Sequence, residues 1–193
     1  MKVLARVRHK LLLGTDIRLT QEELVQLRQT RRLPARAEAA LAESTSRNKT
    51  ILDSVRSLPA DWTILLFAAS VEHAETLAAL LTLDGLPAAV ISAKTDAGAR
   101  RHYVKEFRAG RLRVLTNYGV LTEGFDAPAV RAVYVARPIF SPNVYQQMIG
   151  RGLRGPLNGG KDECLIVNVK DNVLQFGEEL AFTQFEYLWN PRD

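Results

Sequence analysis

One cysteine, Cys164, and three histidines are the only thiol and imidazole metal ligands in 193 residues. A lone thiol cannot build an intrachain disulfide framework, and the histidines recur at no metal-site spacing, so a clustered cysteine metal centre is excluded as well. No apolar run approaches the ~20 residues that a membrane-spanning helix requires, and the N-terminus lacks a signal-peptide layout. A cytoplasmic location is the default expectation, with no membrane partner. No internal repeat is present. No G-x-G-x-x-G follows the first apolar strand, which argues against a stand-alone Rossmann-type nucleotide enzyme.

What is present is the composition of a globular domain: 47% hydrophobic and 24% charged residues, in a chain long enough to bury a core. Lys and Arg number 26 against 21 Asp and Glu, a formal charge of +5 that favours a polyanionic partner.

Residues 1–60 differ in texture from the rest of the chain. Val3, Ala5 and Val7 alternate with basic and apolar neighbours, as in a short edge strand. Thr20 and Glu23 have the spacing of a capping box and predict a helix to Arg31 with Leu24 and Leu27 on one face. Beyond Pro34, an Ala-rich stretch and Arg47–Leu58 give further helical signal. These helices are thinly apolar and read as a lead-in, 1–60, packed on something else.

From 61 to 193 short apolar strands alternate with amphipathic helices. TILLFA, AAVIS, LRVLT, AVYVA and CLIVNV are the strands. Ala74, Leu77 and Leu81 mark the inner face of one helix, and Tyr103, Val104 and Phe107 that of the next. Ser141 and Pro142 start another, with Val144 and Met148 facing the core. A closing helix is predicted from Asp171 to Trp189, its Phe176, Phe182, Phe185, Tyr187 and Trp189 suited to a core or interdomain contact, with stacking on bases as the alternative. The pattern predicts an α/β fold, a parallel sheet covered by helices on both faces. Ligands bind off the carboxyl ends of such strands, here Ser70, Ser92, Thr116 with Asn117, and Arg137.

Two stretches carry chemistry. In YQQMIGRGLRG, Gln147, Arg151 and Arg154 follow at intervals of four and three and share a face while the helix lasts. Gly150 and Gly152 loosen the helix there and admit another backbone or a ligand, so a glutamine and two guanidinium groups converge on a phosphate-gripping arrangement. An isolated R-x-x-R would read as a solvated basic helix end. The second stretch is the loop TNYGVLTEGFDAPAV. Thr116 and Asn117 offer a hydroxyl and an amide to a phosphate backbone, Gly119 and Gly124 permit turns, and Asp126 follows closely.

Together these stretches resemble superfamily 2 helicases of the DEAD/DEAH-like kind. T-N-x-x-x-L-T-E-G-F-D-x-P and Q-x-x-G-R-x-x-R look like that group's fifth and sixth motifs, and LLFAAS at 65–70 like the fourth. The resemblance covers about residues 60–170 and implies the C-terminal, second RecA-like domain of an ATP-dependent helicase or translocase. It implies that Arg154 is an arginine finger on the γ-phosphate, that Arg151 contacts the phosphates, and that Gln147 orients near the γ-phosphate or attacking water. Gly124 and Asp126 would lie by the nucleotide, and Thr116, Asn117, Ser70 and Ser92 by the nucleic-acid backbone. ATP is the implied cofactor, its Mg²⁺ held by an N-terminal RecA-like domain that is the implied partner. Glu123, standing where many DEAD-box members carry a basic residue, leans the nucleic-acid partner towards DNA.

One decoy interrupts this pattern. Gly155–Asp162 nearly spells a P-loop, but Asp162 puts a negative charge where a hydroxyl belongs, and the context is helix–loop–strand. Asn158-Gly159 reads instead as a tight turn. The chain is therefore expected to carry half an active site and to be inactive alone. The competing expectation is a non-catalytic basic α/β module that only binds nucleic acid.

Overall fold

A computed structural model describes residues 4–120 and 130–173, with side chains to 171. Six strands form one sheet in the order β1-β6-β5-β2-β4-β3, and every strand pair is parallel. They are β1 (Arg6–Ile17), β2 (Thr63–Phe67), β3 (Ala88–Ile91), β4 (Val114–Asn117), β5 (Val130–Val135) and β6 (Glu163–Val173). The helices are α1 (Gln21–Thr30), α2 (Ala35–Glu43), α3 (Thr45–Arg56), α4 (Val71–Leu83), α5 (Ala97–Arg108) and α6 (Pro142–Gly150). This is the predicted RecA-like architecture. None of these helices is long and apolar enough to cross a membrane.

Alternation along the strands sorts the core into two layers. Ile64, Leu66, Val114, Ala132, Tyr134 and Val167 face α3 and α4, which supply Ile51, Val55, Ala74, Leu77 and Leu81. Leu65, Phe67, Leu115, Val133, Val135 and Ile166 face α5 and α6, which supply Phe107, Tyr145, Met148 and Ile149. Helices therefore cover both faces, as fully buried parallel strands require.

The lead-in has a double role. Its edge strand runs much further than the first residues suggest, pairing with β6 from Arg6↔Glu163 to Ile17↔Val173 with a shift after Leu13. Gly14 sits at that shift because a Cβ there would fall 2.1 Å from Asp171 Oδ1. The predicted capping box at Thr20 and Glu23 is formed, and Leu24 and Leu27 are buried. With Leu33, Ala37 and Leu41 they make a third cluster, closed by Ala69 after β2 and Phe140 after β5. The thinly apolar helices α1 and α2 thus pack on the carboxyl edge of this same sheet.

Two expectations are corrected. Asp171 does not open a helix: β6 continues through Val173, and Asp171 is fully buried against Arg47 of α3. The remainder of the predicted closing helix lies outside the described residues. On α6, Met148 is buried as expected, but Val144 is 36% exposed, and Tyr145 and Ile149 take the inner positions.

Candidate functional site

The chain ends β2, β3, β4 and β5 at one edge of the sheet, and four predicted residues stand there. Ser70 caps α4, its hydroxyl accepting from the His73 amide at 3.1 Å. Ser92 is 4% exposed, and its hydroxyl accepts from the Lys94 amide at 3.2 Å. Thr116 and Asn117 are both fully buried. The Thr116 hydroxyl donates to Ala74 O at 2.8 Å and reaches Ala89 O at 3.3 Å, and Asn117 Nδ2 donates to Leu66 O at 3.1 Å. The two side chains expected to meet a phosphate backbone are turned inward here. They tie β4 to its neighbours, because a polar group at a buried strand end must find its partners inside. Gly124 and Asp126 lie outside the described residues.

Behind this edge is a hydrogen-bonded chain that sequence reading missed. His73 Nδ1 accepts from the Ala69 amide at 3.0 Å, so Nε2 carries the proton toward Asn48 Oδ1 at 2.9 Å. Burial, helped by nearby Arg47, lowers the His73 pKa to about 3, so the ring stays neutral. Asn48 in turn donates to Ala42 O at 2.7 Å, which links α2, α3 and the end of β2.

A further group joins α2 to the ends of β4 and β5. The Arg137 guanidinium carbon lies 4.8 Å from the centre of the Tyr118 ring, and its Nη2 is 3.7 Å from Glu38 Oε1. The Tyr118 hydroxyl donates to the same carboxylate at 3.2–3.3 Å. Burial pushes the Glu38 carboxyl up, against the pull of Arg137. Beside these residues opens a pocket of about 670 Å³, lined in part by Arg31, Arg32, Tyr118, Arg137 and Ser141.

The arginine motif is at the other end of α6. The helix starts at the carboxyl edge, and at ~1.5 Å per residue its nine residues carry the chain ~13 Å away. There it tightens into i→i−3 bonds, Arg151 N to Met148 O at 3.3 Å and Gly152 N to Ile149 O at 2.9 Å. Gln147 is exposed, and Arg151, the helix C-cap, is partly buried. Gly152 permits a close approach: a Cβ would fall 2.3 Å from Cys164 Sγ and 2.8 Å from Val133 Cγ2. Arg154 has left the helix and makes an antiparallel bridge with Leu4, while Lys161 N donates to its carbonyl at 3.2 Å. The Gly155–Asp162 decoy is a single 3-10 turn entering β6, with Gly159 at φ 73°, as a tight turn requires. Cys164 is buried and its thiol is pushed up to about 12, which makes it inert as a nucleophile.

The predicted residues among those described thus fall into two groups, one along the strand ends and one at the far end of α6. Arg31, Arg32, Glu38, Tyr118 and Arg47 carried no motif signal. The adjacent Arg31-Arg32 pair was the one visible clue.

The family model described as "Helicase conserved C-terminal domain" matches residues 47–155, more than half of the chain. The provisionally named ATP-dependent helicase IRC3 of Saccharomyces cerevisiae is 35% identical over 104 residues, 54% of this chain and 15% of that protein. The ATP-dependent RNA helicase dbp-10 of Neurospora crassa is 26% identical over 117 residues, 61% of this chain and 12% of that protein. The chain therefore spans less than a fifth of the length of these relatives. The C-terminal domain of the DEAD-box protein Dbp5 superposes with a TM-score of 0.60 at 19% identity, covering 76% of this chain and 79% of that one. A fragment provisionally assigned as an HsdR subunit of a type I restriction enzyme from Vibrio vulnificus gives 0.67 at 19% identity, covering 98% of this chain and 34% of that one.

Proposed function

The chain belongs to the helicase conserved C-terminal domain family, and we propose that it works as the second motor domain of an ATP-dependent helicase or translocase. The observation that carries this reading is the turn from Arg151 to Arg154. Its backbone is held by Gly152 against Val133 and Cys164, and by Leu4 and Lys161 at Arg154. Two guanidinium groups fixed at their roots need little reorganisation when a phosphate arrives, and preorganised charge is where phosphoryl-transfer catalysis gains most.

In this reading Arg154 is the arginine finger, stabilising charge on the transferring γ-phosphoryl group. Arg151 contacts the phosphates, and exposed Gln147 orients the γ-phosphate or the attacking water. Gly124 and Asp126 flank the nucleotide, with Asp126 bonding the ribose or Arg151. The partner RecA-like domain supplies the P-loop and the Mg²⁺ ligands, so the 193-residue chain alone hydrolyses no ATP. Ser70 and Ser92 line the nucleic-acid track, while Thr116 and Asn117 hold its floor. DNA is the proposed strand, on the ground of Glu123, although one relative is named an RNA helicase. ATP binding closes the two domains on the strand and hydrolysis reopens them.

The test is nucleic-acid-stimulated ATPase activity of the protein that joins this chain to its partner domain, wild type against Arg154→Ala. Turnover is expected to fall by ~10³-fold or more with nucleotide binding retained. Unchanged turnover would overturn the finger assignment. Substantial metal-dependent turnover by the chain alone would overturn the shared-site reading.

A further inference from the structure

The α1–α2 corner holds two arginines that the motor-domain reading leaves unused. Arg31 follows α1 with φ 53°, the one positive-φ residue other than glycine among those described. A left-handed helix C-terminus ordinarily takes glycine, because a Cβ is strained there. The corner is nonetheless firmly built. Arg31 N donates to Leu27 O at 2.8 Å, the Thr30 hydroxyl donates to Gln26 O at 2.8 Å and accepts from Arg32 N at 3.2 Å, and Leu33 and Pro34 are buried behind. Strain kept in a well-packed turn, with an arginine where glycine would be easier, is the kind of outlier that marks a functional position.

Both arginines are exposed and line the pocket at the carboxyl edge, with Arg137 across it on the Tyr118 ring. Glu38, which holds Arg137 in that pose, is not among the lining residues, although its carboxylate also attracts Arg32. Three arginines thus line one opening together with apolar Ile139, Phe140 and Met148. Forked donors beside apolar side chains suit a phosphodiester with its sugar. Arg31 and Arg32 also lie ahead of the family match, which begins at residue 47.

We propose that Arg31, Arg32 and Arg137 form a phosphate clamp that grips the backbone of the nucleic-acid strand, making the α1–α2 corner part of the track. This rests on the reading that the chain engages nucleic acid. A strand fits better than a nucleotide, because the pocket shares the carboxyl edge with Ser70 and Ser92, which the proposed function places on the track. Arg137 is held in pose by Glu38 and Tyr118, so it is the rigid jaw. Arg31 and Arg32 are the outer jaw.

The test is fluorescence anisotropy of labelled oligothymidylate and oligouridylate across a salt series, with the 193-residue chain. Arg31→Ser/Arg32→Ser and Arg137→Gln are each expected to weaken binding by roughly tenfold and to lower the salt slope by about 0.7 for each phosphate no longer neutralised. The charge-matched control Arg8→Ser/Lys105→Ser should move affinity much less. Arg31→Gly separates binding from folding: relieving the strain should raise the melting temperature while affinity falls. If the double variant or Arg31→Gly binds like the control, the clamp is overturned and the motor-domain reading stands. If wild type binds neither strand, the clamp falls together with its premise of strand engagement. ATP or inorganic phosphate competing through these arginines, with competition abolished in the double variant, would make the pocket a nucleotide-phosphate site and overturn the strand assignment.

Discussion

Arg47 of α3 and Asp171 of β6, 124 positions apart, form a two-pronged ion pair with both side chains fully buried. Nε meets Oδ1 at 2.7 Å and Nη2 meets Oδ2 at 2.8 Å, while the same Nη2 donates to Ala136 O at the end of β5. Asp171 also accepts from the Thr15 amide at the shift in β1. One arginine thereby joins the lead-in to β6 and to the end of β5.

Removing one partner strands a buried charge, so Arg47→Ala or Asp171→Ala should each cost about 3–5 kcal/mol. Replacing both, as in Arg47→Met/Asp171→Leu, should recover part of that loss, because two well-packed apolar side chains carry no desolvation cost. Urea denaturation reads both effects. A single-variant loss near zero would mean that water reaches the pair.

His73 makes stability depend on pH. Its pKa is about 3 in the fold against 6.5 in the unfolded chain, so the folded state resists a proton that the unfolded state accepts. The contribution is complete above pH 6.5 and is lost as pH falls toward 3. Between pH 6.5 and 5 the loss should reach about 2 kcal/mol from this residue. Denaturation midpoints at pH 7 and 5 should therefore diverge less in His73→Gln than in wild type.

The two glycines of the arginine motif should behave oppositely. Gly152→Ala drives a methyl into Cys164 and Val133 and should cost about 1–3 kcal/mol, with the arginine turn displaced. Gly150→Ala meets nothing within 4 Å at the end of α6 and should be neutral or stabilising by up to about 1 kcal/mol. Melting temperatures of the two variants check the contrast, and equal effects would contradict it.

Thr116→Val should weaken the fold and leave strand binding alone. The hydroxyl bonds Ala74 O and Ala89 O, and its loss should cost about 1 kcal/mol. Nucleic-acid affinity at matched salt is the discriminating measurement. A drop in affinity without a drop in stability would return Thr116 to the track.

Local chemistry was legible in the sequence. The capping box at Thr20, Ser70 and Ser141 at helix starts, and the apolar period along α4 each depend on residues within a turn or two, so reading neighbours suffices. The parallel sheet followed from alternating strands and helices. Only the tertiary structure decided that β1 extends to Ile17, because its exposed basic residues follow no clean period and its pairing with β6 spans most of the chain. It also decided that Asp171 stays in a strand, held by an arginine in α3, and that Thr116 and Asn117 turn inward. In each case the partner that fixes the side chain lies tens of residues away, and burial makes finding that partner obligatory.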